Sequence, residues 1–81
     1  MVVYKKINSI DELQSLYRKS LSIPETIGMH SLDNTIMADI KSFLGVMNLD
    51  YNKPVKIVTE SEKYIKSIFD VGENIKAEDI E

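Results

Sequence analysis

The 81-residue chain contains no cysteine, which excludes a disulfide scaffold, a thiolate metal site and a cysteine nucleophile. Histidine occurs once, at His30. A zinc site would have to be built from that imidazole and one or two carboxylates, a poor donor set. The three glycines, Gly28, Gly45 and Gly72, are too far apart for a phosphate-cradling loop. There is no basic excess: 10 Lys and Arg stand against 13 Asp and Glu, net −3, so a phosphate backbone has no clustered positive face to meet. The four tyrosines, Tyr4, Tyr17, Tyr51 and Tyr64, are scattered outside any basic surround, which argues against stacking on bases. No apolar run approaches the length of a bilayer span or of a secretory signal core. Neither nucleic acid nor membrane is therefore an expected partner, and a cytoplasmic location is expected.

What is present suits one small domain over residues 1–81, with residues 73–81 expected as a frayed acidic tail. Hydrophobic residues make up 43% of the chain, enough to close one core. A domain this small holds a modest stability, on the order of 3–5 kcal/mol.

Helical spacing dominates the pattern. Ser9 and Glu12 are placed as a capping box, and Ile10, Leu13, Leu16, Tyr17 and Leu21 follow on one face until Pro24 stops the run. Leu32, Ile36, Ile40, Phe43, Leu44 and Met47 form a second stripe, which predicts a helix beginning at Ser31. A third helix is expected from Thr59, again a capping-box residue, with Tyr64, Ile65, Ile68 and Phe69 as its stripe and Gly72 as its stop. The expected fold is thus all-α, a small bundle of three or four helices. Its core would contain Leu13, Leu16, Tyr17, Ile36, Ile40, Phe43, Leu44, Ile65, Ile68 and Phe69. The alternative is an α+β domain, because the β-branched segments at 2–6 and 55–58 can pair as a two-stranded ribbon.

Few residues can carry chemistry. His30 with Asp33 or Asp39 has the composition of a base and its orienting acid, but adjacent Ser31 cannot readily present its hydroxyl to that imidazole. Glu60, Glu62, Glu78 and Asp79 sit on polar faces or in the tail and read as solvated charge. The segment that says more is Ile23-Pro24-Glu25-Thr26-Ile27-Gly28-Met29-His30-Ser31-Leu32-Asp33. It resembles the attachment motif of acyl and peptidyl carrier proteins. In that family an apolar and an acidic residue precede Leu-Gly, and Asp-Ser-Leu or His-Ser-Leu follows shortly after. Ile23 and Glu25 take the first two places, Ile27-Gly28 the third, and His30-Ser31-Leu32 the last, while Tyr64-Ile65 lies roughly where carriers place a Tyr-Ile pair.

The resemblance implies that Ser31 carries a covalent 4′-phosphopantetheine arm, with Gly28, His30, Leu32 and Asp33 around it. The arm would hold acyl or aminoacyl groups as thioesters. Partners would be a phosphopantetheinyl transferase and acyl-processing enzymes, and the chain itself would not be an enzyme. A serine at the first turn of a helix would suit such an arm, because the phosphodiester would face unpaired N–H groups and the positive end of the helix dipole. The other reading of the same residues is that Ser31 merely caps a helix. The chain is then a small unmodified interaction module, an inhibitor or adaptor, whose partner protein the sequence does not name.

Overall fold

The computed structural model describes residues 2–60, 65 and 70–80. Five strands form one antiparallel sheet: β1 (Val2–Lys6), β2 (Gly28–His30), β3 (Met37–Asp39), β4 (Val55–Val58) and β5 (Glu73–Ile75), in the order β3-β2-β4-β1-β5. The longest described helix, α1 (Ile10–Ser20), joins β1 to β2. A four-residue turn of helix, α2 (Phe43–Val46), follows β3, and a single 3₁₀ turn occupies Ala77–Asp79. Because β4 pairs antiparallel with both β1 and β2, those two strands run parallel with β4 between them. This is a split β-α-β unit closed by α1.

Alternation along the central strands sets the two faces of the sheet. Val55 and Ile57 of β4 are buried, while the alternate residues Lys56 and Val58 are only half-buried. The register lines up Ala38, Met29, Ile57 and Val3 across four strands on the inner face. The next row, Met37, His30, Lys56, Tyr4 and Ile75, runs along the outer face. Leu13 and Leu16 of α1 join Ile23, Ile27, Met29 and Ile57 in the core. α1 starts as its sequence predicts: Ser9 is the N-cap, its Oγ accepts from Glu12 N at 3.2 Å, and Glu12 Oε1 accepts from Asn8 N at 2.6 Å.

The sheet overturns the expected all-α bundle. The segments at 2–6 and 55–58 do pair, Val2 opposite Val58 and Lys5 opposite Val55, but as the middle of five strands and not as an isolated ribbon. No helix begins at Ser31. The apolar stripe from Leu32 to Met47 is divided among a hairpin loop, strand β3 and the short α2. The reason is local turn chemistry: Asp33 Oδ1 accepts from Thr35 N, and Asn34 N donates to Ser31 O, which bends the chain where the stripe would require a continuous helix. Leu44, expected in the core, is 84% exposed, while Tyr17, Ile36 and Phe43 are half-buried at its margin. Tyr17 and Phe43 meet edge to face at 5.3 Å between ring centroids.

The stretch 73–81, expected as a frayed tail, instead supplies β5, which pairs with β1, and the 3₁₀ turn. Thr59 lies just past β4 and is buried, and residues 61–64 and 66–69 of the helix expected to follow it lie outside the described residues. Ile65 is buried as expected. The rest of the third helical stripe, Tyr64, Ile68 and Phe69, lies outside the described residues.

Candidate functional site

The loop from Ser31 to Ile36 joins β2 to β3 and is closed by side chains as much as by backbone. Ser31 N donates to Ile36 O at 2.9 Å, and Asn34 N donates to Ser31 O at 3.0 Å. Asn34 takes the left-handed conformation, φ 61°, which asparagine tolerates better than most residues. Asp33 is the hub. Its Oδ1 accepts from Ser31 Oγ at 2.8 Å, from Thr35 N at 3.0 Å and from Thr35 Oγ1 at 2.7 Å. Ser31 Oγ in turn accepts from Ile36 N at 3.1 Å. Three donors on one carboxylate oxygen favour the ionised form, so the Thr35 hydroxyl first, then the Thr35 amide and the Ser31 hydroxyl, hold Asp33 down at about 2.

The five residues singled out in the sequence fall into two groups. Ser31, Leu32 and Asp33 line a cleft of about 500 Å³ beneath the loop. Gly28 and His30 lie on the outer face of β2 and border a separate depression with Glu25, Val58 and Glu60. The His30 ring lies directly against Gly28. A β-carbon at residue 28 would sit 2.5 Å from His30 Nε2, so any larger residue there would displace the His30 ring. His30 is therefore engaged on its own face of the strand, and it forms no base pair with Ser31, whose hydroxyl is bonded within the loop. Asp39, the other acid considered beside His30, is opposite Gly28 in the register and accepts from Lys41 N at 2.9 Å.

The cleft combines an aliphatic floor with a charged rim. Leu32, Ile36, Leu49, Pro54, Val55 and Ile80 supply the apolar surface, and Asp33, Asp50, Asp79 and Lys53 supply the charges. Its walls come from distant parts of the chain. The 48–54 connection is folded by Asn52 N donating to Asp50 Oδ1 at 3.0 Å and Lys53 N to Asp50 O at 3.3 Å. Tyr51 fastens that connection to the body of the domain: its hydroxyl donates to Val46 O and reaches Met29 Sδ at 3.5 Å, while Lys6 Nζ donates to Tyr51 O at 2.7 Å. Burial pushes the Tyr51 hydroxyl up to about 12, so it stays a donor throughout the physiological range. The opposite wall is the 3₁₀ turn, closed by Asp79 N to Lys76 O at 3.0 Å and Ile80 N to Ala77 O at 3.1 Å.

No family model, curated protein or solved structure matches this chain. Among the described residues no group of three His, Asp or Glu side chains converges where a metal ion could sit, so the three cleft carboxylates line the cleft without forming a cage. Among the same residues no helix is long and apolar enough to cross a membrane. Asp50, Lys53, Asp79 and Ile80 were not singled out by the sequence, because they read as loop or tail. The signal that marks the loop was present in Asp33-Asn34-Thr35, three turn-forming residues in succession.

Proposed function

We propose that the chain is a small protein-binding module with no chemistry of its own, and that the cleft beneath the 31–36 loop is its contact surface. The observation that carries this reading is the make-up of the cleft: six aliphatic side chains below and charged groups at the rim, with its serine hydroxyl bonded to a carboxylate that three donors hold ionised and that is therefore a weak base. Such a surface binds by burying apolar area and selects by charge. A photo-reactive amino acid at Asn48, on the cleft, is expected to cross-link the chain to a distinct protein in the cells that express it. The same probe at Gln14, on the exposed face of α1, is the control. Equal labelling from both positions, or none from either, would refute the module.

A second reading is the carrier, favoured by the presence of the His30-Ser31-Leu32 motif beside an exposed loop. The geometry around Ser31 supports it poorly. Ser31 stands at no helix N-terminus, and a phosphodiester on its Oγ would place negative charge against the Asp33 carboxylate, 2.8 Å away. It would also remove the hydroxyl's donation to that carboxylate. Intact-mass measurement after co-expression with a broad-specificity phosphopantetheinyl transferase decides the matter. An unshifted mass is expected; a gain of one phosphopantetheine on Ser31 would replace the module with the carrier.

A further inference from the structure

From the floor and rim of the same cleft, and resting on the binding-module reading, we propose that its occupant is a segment of a partner protein bearing an arginine or lysine beside an aliphatic residue. Charge selects the cation: three carboxylates, from Asp33, Asp50 and Asp79, stand at the rim against the single ammonium of Lys53, in a chain that is itself net −3. Shape selects a cation with a long apolar stem. A bare metal ion has no converging ligand set here, and it would leave the floor of Leu32, Ile36, Leu49 and Ile80 in water. An arginine or lysine answers both features, since its methylene stem lies along apolar surface while its head remains with the carboxylates. Arginine fits better, because its planar fork bonds a carboxylate through two parallel N–H groups. The volume of about 500 Å³ is more than that one side chain fills and leaves room for an aliphatic neighbour.

Asp33 differs from the other two acids. Its Oδ1 is committed to Ser31 and Thr35, so it contributes fixed negative charge, and Asp50 and Asp79 are the carboxylates to test. Asparagine at 50 keeps the side-chain oxygen that accepts from Asn52 N, so Asp50→Asn removes the charge and retains the turn.

The experiment is a display selection of short random peptides on the intact chain, repeated on the Asp50→Asn/Asp79→Asn chain after circular dichroism has shown it folded. Affinities are then measured by fluorescence anisotropy with the enriched peptides themselves. Peptides enriched on the native chain are expected to carry Arg or Lys next to Leu, Ile, Val or Met. Their affinity should fall about tenfold on the doubly substituted chain, the step expected from losing favourable charge pairing. Enriched peptides without a basic residue, or with affinity indifferent to both substitutions, would overturn the inference and leave the module standing. Arginine amide binding as tightly as the best peptide would overturn it in favour of a small-molecule site. An absence of enrichment on the native chain overturns it too, and if cross-linking from Asn48 also fails, the module falls with it.

Discussion

Asp33 and Lys5 are both charged side chains that tie down a turn, and they do so in opposite ways. Asp33 is exposed, and its partners Ser31 and Thr35 lie two residues to either side. Lys5 is fully buried, and its Nζ donates to Val71 O at 2.6 Å and to Asn74 Oδ1 at 2.8 Å, at the far end of the chain. Burial lowers the Lys5 pKa, and the carboxylates of Asp70 and Glu12 offset part of that effect. A charge satisfied by its sequence neighbours shapes one loop. A charge satisfied across the fold binds the last described strand to the first. The loop around Asp33 can therefore be loosened without unfolding the domain, whereas the contacts of Lys5 belong to the cooperative unit.

The largest effect is expected at Lys5. Lys5→Ala removes the hydrogen bonds to Val71 O and Asn74 Oδ1 and leaves a cavity, and should lower the unfolding free energy by about 2–4 kcal/mol in urea titrations. Lys5→Met fills the space and removes the desolvated charge, so its cost should be smaller. An alanine variant as stable as the parent would erase the contrast with Asp33.

Gly72 tests the same junction through the backbone. It sits at φ 75°, and a β-carbon there would lie 3.1 Å from Ile7 Cδ1 and 3.2 Å from Lys6 O. Gly72→Ala should cost about 1–2 kcal/mol, with faster amide exchange in β5 as the local readout. Unchanged exchange in β5 would show that the junction does not depend on this turn.

The smallest global effect is expected at Asp33, and it should depend on pH. Its folded pKa of about 2 lies below the ordinary 3.8. The stabilisation of the loop is therefore complete at neutral pH, begins to fall as pH passes below 3.8, and is lost through about 2. The Thr35 amide resonance should titrate with that midpoint, while Asp33→Asn should abolish the transition and leave the melting temperature nearly unchanged. A global unfolding transition that tracks the protonation of Asp33 would place the loop within the cooperative core.

The same division explains what the sequence revealed. The start of α1 was legible because Ser9 and Glu12 act on neighbouring backbone groups. The paired segments 2–6 and 55–58 were visible as β-branched runs, but their place at the centre of a sheet was not. Their outer neighbours, Gly28-Met29-His30 and Glu73-Asn74-Ile75, contain little β-branched character. The apolar spacing from Ser31 onward predicts a helix, but the turn-forming run Asp33-Asn34-Thr35 breaks it. Of the candidate site, Ser31, Leu32 and Asp33 were found together, for a chemistry that depended on a helix the chain does not form there. Asp50, Asp79 and Ile80 join them only through tertiary folding, as Lys5 does with Val71.

The position of β1 has a consequence for how the molecule comes to exist. Val2 pairs with Val58, and Tyr4 with Ile75, so both partners of β1 are made well after it. A nascent chain can form α1 early, but it holds β1 unpaired until β4 has been made. Loop-closure entropy must be overcome before the central pairing contributes anything. The centre of the sheet therefore waits for β4, and the exposed Val-Val-Tyr strand is the segment a chaperone would have to shield in the meantime.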